Sequence, residues 1–153
     1  MKNNMKIGII TSPGAHLRLL LNLKDAWSLQ SRFWVTHKLV KKTGELEGEK
    51  IYYGFFPENR NLINFIRNIF LAIKILNKER PKILISGGAG VAVPFFWVGY
   101  LFGCRLVFIE PFGLKPKPTL SGRLVYRLCK RFYVQDSNLK KIYPKARFSK
   151  IIV

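Results

Sequence analysis

The chain has 153 residues, with 27 Lys and Arg against 8 Asp and Glu, a formal charge of +19 and a pI near 10.3. That length holds one α/β domain with a real core but not two, and the charge implies an anionic partner: nucleic acid, a phosphate-bearing substrate or an acidic membrane surface. Two cysteines, Cys104 and Cys129, are too far apart for a paired zinc site and too few for a disulfide framework, so both read as free thiols in a reducing compartment.

The first stretch, "MKNNMKIGIITS", lacks the long apolar region and small-residue cleavage site of a secretory signal, and Lys6 to Thr11 within it reads as a strand. "SPGAH" follows as a Gly-containing turn, and "LRLLLNLKDAW" as a helix. Arg32 to His37 reads as a second strand, "KKTGELEGEK" as a polar loop, and Ile51 to Phe56 as a third strand. From Asn59 to Pro81 the apolar positions fit a long helix with a wide apolar face and a basic one carrying Arg67, Lys74, Lys78 and Arg80.

"KILIS" reads as a buried strand ending at Ser86, followed at once by the glycines of "GGAG". Val91 to Phe102 then reads as a helix with Pro94 in its first turn and Gly103 as its stop. Ile83 to Cys104 holds no charge for 22 residues, long enough to cross a bilayer. Gly87, Gly88, Gly90 and Pro94 divide it, so strand, turn and buried helix is the better reading. The helix is apolar all round and must lie in the core, against a partner or against lipid. "RLVFIE" is the next strand, "PFGLKPKPT" a Pro-rich loop, "LSGRLVYRLCKR" a helix, "FYVQ" a strand, "SNLKKIY" a short helix and "ARFSKIIV" a last strand. Strand and helix alternate throughout, the pattern of a Rossmann-like open, mostly parallel sheet with helices on both faces, in one domain spanning residues 1–153.

In such sheets ligands bind beyond the carboxyl ends of the strands, which brings "SPGAH", "GGAG" and "EPFG" to one edge. Glycine lets backbone approach an anion, so Ser12, Gly14, Gly87, Gly88 and Gly90 are candidates for holding a diphosphate; a sharp structural turn explains the same glycines. A dinucleotide fingerprint would need a third glycine where the chain has Val93, although Glu110 lies where a ribose-binding acid would. His16 reads as a structural hydrogen-bonding group or a base, and His37 as incidental. Glu110 follows a buried strand and reads as a general base, a partner of Arg123 or Arg127, or a loop cap. No nucleophile elbow, P-loop, metal-ligand cluster or close carboxylate pair occurs, and neither a metal nor a cofactor is expected.

"SPGAHLRLLL", "RPKILISGGAGVAVPFFWVGYLFGCRLVFIEPF", "LSGRLVYRLCKRFYVQ" and "LKKIYPKA" together resemble the PssD/CpsF-type polysaccharide biosynthesis proteins. These are bacterial relatives of the membrane-anchoring subunit of the two-chain transferase that adds the second N-acetylglucosamine to dolichol-linked oligosaccharide. The resemblance covers nearly the whole chain. Its first motif has two glycines before the histidine; here Gly14 and His16 match and Ala15 departs.

The resemblance implies the N-terminal, acceptor-side half of a split GT-B glycosyltransferase, with His16 or Glu110 as the catalytic or orienting group. Its partners would be a separate UDP-sugar-binding subunit and a polyprenyl-diphosphate-linked acceptor, in exopolysaccharide or capsule assembly. It further implies a peripheral position on the cytoplasmic face of the cell membrane, with Arg67, Lys74, Lys78, Phe95, Phe96 and Trp97 facing an anionic surface. Two rivals remain: a basic nucleic-acid-binding module, disfavoured because the aromatics cluster in apolar runs, and a small nucleotide-cofactor enzyme.

Overall fold

The β-branched and aromatic runs form seven strands of one sheet in a computed structural model that describes residues 5–40, 44–58, 60–112 and 117–150. They are β1 (Ile7–Ile10), β2 (Arg32–Thr36), β3 (Ile51–Tyr53), β4 (Ile83–Ser86), β5 (Arg105–Ile109), β6 (Arg131–Val134) and β7 (Arg147–Phe148). Every pairing is parallel, in the order β3-β2-β1-β4-β5-β6-β7. Strand order reverses between β1 and β4, so the crevice expected of an open α/β sheet lies over the loops that leave those two strands. The Rossmann-like fold read from the alternation of elements therefore holds. The last strand is short, and residues 151–153 of its expected run lie outside the described residues.

The helices are α1 (Ala15–Leu21), α2 (Lys24–Trp27), α3 (Leu62–Glu79), α4 (Ala92–Leu101) and α5 (Leu120–Val125). One continuous helix was expected after β1, but the chain breaks at Asn22. The Leu20 carbonyl accepts from Leu23 N at 3.1 Å and from Trp27 Nε1 at 2.8 Å, which folds α2 back over β2. The helix expected after the Pro-rich loop likewise tightens into a 3-10 turn at Tyr126–Leu128. Leu19, Leu20 and Trp27 pack with Trp34 and Ile51 on one face of the sheet, while α3, α4 and α5 share the core on the other.

That second core overturns part of the membrane assignment. Phe95 and Phe96 are fully buried, Phe96 meeting Phe108 edge-on at 5.9 Å. An all-apolar helix wedged between α3 and α5 has most of its circumference occupied by protein, so only Trp97, Tyr100 and Leu101 reach the surface. Gly99 permits the close seating of α4 on the sheet: a methyl there would lie 2.4 Å from Leu84 Cδ1. The other methyl of Leu84 fills the notch at Gly8, where an added Cβ would lie 2.7 Å from it.

At the far end of α3 the buried Glu79 carboxylate receives Lys6 Nζ at 3.0 Å, Lys50 Nζ at 2.6 Å and the Tyr52 hydroxyl. One side chain thereby fastens the helix end to the starts of β1 and β3. Burial opposes ionisation, but the hydrogen bonds from Lys50, Tyr52 and Lys6 prevail and hold the carboxyl at about 2.

Cover on the α1 face stops short. Ile83, Ile85, Val107 and Tyr133 remain half-buried there, beside a groove of about 250 Å³ that Leu20, Leu23 and Trp27 also line. Parallel sheets are normally covered on both faces.

Candidate functional site

The loops leaving β1 and β4 meet through His16. Thr11 and Ser12 are buried at the end of β1, Gly14 turns the chain at φ +83, and His16 follows in the first turn of α1. Its Nδ1 lies 2.9 Å from the Gly87 carbonyl oxygen. A carbonyl only accepts, so Nδ1 carries the proton and, in the neutral ring, Nε2 is the basic nitrogen.

Packing against α1 explains two of the glycines. A Cβ on Gly87 would lie 2.8 Å from Leu19 Cδ2, and one on Gly88, at φ +107, would lie 2.8 Å from His16 Nδ1. Ser86 closes the turn, its hydroxyl donating to the Gly88 carbonyl at 2.9 Å and accepting from Gly88 N at 3.2 Å. The Gly88 N–H expected to face an anion is thus engaged within the turn. Around Gly14 the reverse holds: nothing lies within 4 Å of an added Cβ, so that turn is exposed.

Gly90 belongs to a second compartment. With Phe65, Val93, Leu120 and Leu124 it lines a mainly apolar cleft of about 370 Å³ between the starts of α3 and α5, to which Glu58, Arg60, Asn61 and Ser121 contribute polar groups. The structure thus brings Ser12, Gly14, His16, Gly87 and Gly88 together at the β1/β4 crevice and sets Gly90 at the edge of the adjoining cleft.

Glu110 is fully buried. It accepts a hydrogen bond from Thr119 N, and Gly122 leaves it room: a methyl there would lie 2.0 Å from Glu110 Oε2. Of its three sequence readings the geometry gives the loop cap, since the carboxylate holds the start of α5 and does not reach the crevice surface. Burial pushes its pKa up, against the pull of the Thr119 hydrogen bonds and the Arg123 charge. His37 is structural, accepting from Leu39 N at 2.9 Å and standing edge-on to Phe56.

Beside the cleft, α3 turns an unusual face outward. Leu62, Ile63, Ile66, Phe70 and Ile73 are all exposed, Leu62, Ile63 and Phe70 by about two-thirds or more. At 100° per residue they fall within an arc of about 100°, and Arg67, Lys74 and Lys78 occupy the next 40° or so. All three cations are exposed, with the Arg67 guanidinium 5.4 Å from the Phe55 ring centre. Trp97 extends the surface from α4, packed against Phe65 and 37% exposed. Among the described residues no helix is long and apolar enough to cross a membrane.

Sequence reading missed the residues that set this face. Asn68 is buried and grips Phe55 twice, accepting from its N–H and donating to its carbonyl, each at 2.9 Å. Asn64 donates to the Pro57 carbonyl at 3.0 Å. The two side chains satisfy the irregular backbone after β3 and turn α3 so that Asn64 and Asn68 face inward beside Ala72, Ile75 and Leu76, while Leu62, Ile63, Ile66, Phe70 and Ile73 face outward. Two asparagines four residues apart in an apolar helix were the available signal.

A family model described as "Oligosaccharide biosynthesis protein Alg14 like" matches residues 58–152. The UDP-N-acetylglucosamine transferase subunit ALG14 of Yarrowia lipolytica is 21% identical over 99% of this chain and 82% of its own length. The human protein of that name is 22% identical over 95% and 82%. Among solved structures, MurG of Acinetobacter baumannii superposes with a TM-score of 0.69 at 14% identity, over 87% of this chain and 42% of its own. The UDP-GlcNAc 2-epimerase of Methanocaldococcus jannaschii gives 0.68 at 14% identity, over 90% and 41%. This chain therefore spans less than half the length of either solved structure, and the likeness is one of fold: a Rossmann-like half of a GT-B architecture.

Proposed function

This chain belongs to the Alg14-like family of oligosaccharide biosynthesis proteins, and from that premise we propose that it is the acceptor-side subunit of a two-chain UDP-N-acetylglucosamine transferase acting on a lipid-linked saccharide. The observation that carries the reading is the outward apolar stripe of α3 with its adjoining cations, next to the cleft at Gly90. A helix of that kind lies in the plane of an anionic membrane, where each nearby Lys or Arg contributes roughly 1 kcal/mol. The chain is then peripheral to the membrane whose surface carries its acceptor.

A polyprenyl-diphosphate-linked acceptor keeps its tail in the bilayer and its diphosphate at the surface. Leu62, common to the stripe and the cleft, joins the lipid-facing surface to the compartment beside Gly90, where Arg60 meets negative charge. The open loop at Gly14 receives the sugar. In the transfer step the acceptor hydroxyl oxygen bonds to the anomeric carbon, the bond to UDP breaks, and the hydroxyl proton passes to His16 Nε2. The UDP-sugar comes on a separate subunit, which docks across the loop edge with the uncovered strip at Ile85 and Val107 as a further apolar foothold. In its finer detail the reading is a bacterial PssD/CpsF-type subunit of exopolysaccharide or capsule assembly.

The test is to assay this chain, its companion subunit and their mixture for transfer to a lipid-linked acceptor, with vesicle sedimentation alongside. Activity is expected only in the mixture, and the pair Ile66→Glu and Phe70→Glu should lower retention on anionic vesicles by at least about tenfold. Full activity of this chain alone overturns the split-enzyme reading. Retention on nucleic acid with none on vesicles overturns the membrane reading.

A further inference from the structure

The sheet carries a second concavity at the opposite end of its strands from His16 and Gly88, where β6 and β7 begin. This cavity, about 740 Å³ in volume, is lined by five cations and no acid: Arg127, Lys130 and Arg131 on one wall, Lys145 and Arg147 on the other. None of the five makes an ion pair among the described residues, where Lys6, Arg32 and Lys50 are the cations so engaged.

The two walls are held by an aromatic joint. Tyr126 stands edge-on to Phe132 at 5.0 Å and tilts against Tyr143 at 4.7 Å, and its hydroxyl accepts from Lys145 N at 2.9 Å. That bond fixes the turn carrying Lys145 and Arg147 opposite the segment carrying Arg127, Lys130 and Arg131. The cavity is therefore already formed, and the five cations line one space with no acid beside them among the described residues, the Arg131 guanidinium donating one hydrogen bond to the Lys130 carbonyl at 3.2 Å. Gathering like charges in this way opposes folding, and a bound anion reverses the sign of that contribution.

We propose that this cavity is a binding site for an anion bearing more than one phosphate charge, separate from the acceptor crevice. Arginine on both walls favours phosphate, because each planar guanidinium donates two parallel hydrogen bonds to its oxygens. The breadth of the space favours a di- or triphosphate or a phosphomonoester headgroup over a single small ion. A soluble phosphate compound and a lipid headgroup share that chemistry.

The experiment titrates the full chain with sodium tripolyphosphate calorimetrically at about 0.15 M salt. It compares Arg131→Gln/Arg147→Gln, one change on each wall, with Lys74→Gln/Lys78→Gln, which removes equal charge from α3. Tripolyphosphate should bind the unaltered chain and the α3 variant alike and the cavity variant at least about 30-fold more weakly. The four positions are exposed, and circular dichroism verifies that both variants are folded. A parallel arm compares vesicles of phosphatidic acid and of phosphatidylserine at matched surface charge. A preference for phosphatidic acid that the cavity variant loses identifies a lipid headgroup as the source. Cavity-dependent tripolyphosphate binding without such a preference identifies a soluble compound. Equal weakening in both variants reduces the effect to net charge and overturns the proposal, and so does binding of polyglutamate with no binding of tripolyphosphate.

Discussion

Replacing Gly88 by Ala should destabilise the chain by about 3 kcal/mol, and about a third of that loss should vanish if His16 is also Ala. Two contributions make up the figure. An L-residue at φ +107 is strained by about 2 kcal/mol. The new methyl would also lie 2.8 Å from His16 Nδ1 and 2.9 Å from its Cε1, so the ring must swing away and give up the Gly87 carbonyl, a loss of about 1 kcal/mol. With His16→Ala in place, only the strain remains. The assay is urea unfolding of the four members of the cycle, and the coupling energy should be about 1 kcal/mol. Gly14→Ala serves as the control, strained at φ +83 but colliding with nothing. Additivity within about 0.3 kcal/mol would refute the account of Gly88 as a seat for the histidine. The same geometry makes Gly88→Ala a poor probe of anion binding, since it disturbs the side chain proposed to take the acceptor's proton.

Because Glu79 titrates lower in the fold than in the unfolded chain, the unfolded chain takes up its proton first as pH falls, and stability present above 4.5 is lost on the way down to about 2. Solvent around Lys6 and Lys50 reduces that loss to about 2 kcal/mol, and Glu79→Gln should flatten this limb of a plot of urea midpoint against pH; superimposable limbs would reject the ion-pair lock. Gly122→Ala should cost about 2–4 kcal/mol by driving Glu110 off Thr119, with part recovered when Glu110→Ala makes room. Thermal melting reads both variants, and an unchanged melting temperature in Gly122→Ala would mean that the carboxylate does not pack there.

The order of elements and the position of the crevice were legible because short β-branched runs alternate with longer apolar ones and glycine or proline marks the joints. Burial was harder to read. The helix holding Phe95 and Phe96 is apolar on every side, so its pattern contains no direction, and the neighbours that enclose it come from residues 62–79 and 120–125. On α3 the apolar count suggested one broad face, whereas Asn64 and Asn68 divide it into an inner surface and an outer one. Nothing in the order of residues announces that Phe55 and Pro57 need those amides. Glu110 was recognised as unusual from its place after a buried strand, but its role depended on Gly122, twelve positions on, whose missing side chain makes the space. The five cations of the β6–β7 cavity were visible as a basic excess and not as a group, because the bend at Pro144 and the Tyr126 hydroxyl bring them together.

Leu84 has a consequence for how this chain tolerates change. Its two methyl groups sit in notches left by Gly8 on the neighbouring strand and Gly99 on the helix above, but an added Cβ at Gly8 would also lie 2.7 Å from Phe33 Cζ, so only positions 84 and 99 are adjustable as a pair. An alanine at 99 collides while 84 keeps its full side chain, and a smaller residue at 84 opens a void while Gly99 remains. Each single step is therefore deleterious, while the pair that moves volume from 84 to 99 is nearly neutral. This is sign epistasis built from a single leucine, and it confines mutational paths through the centre of the sheet to compensated pairs.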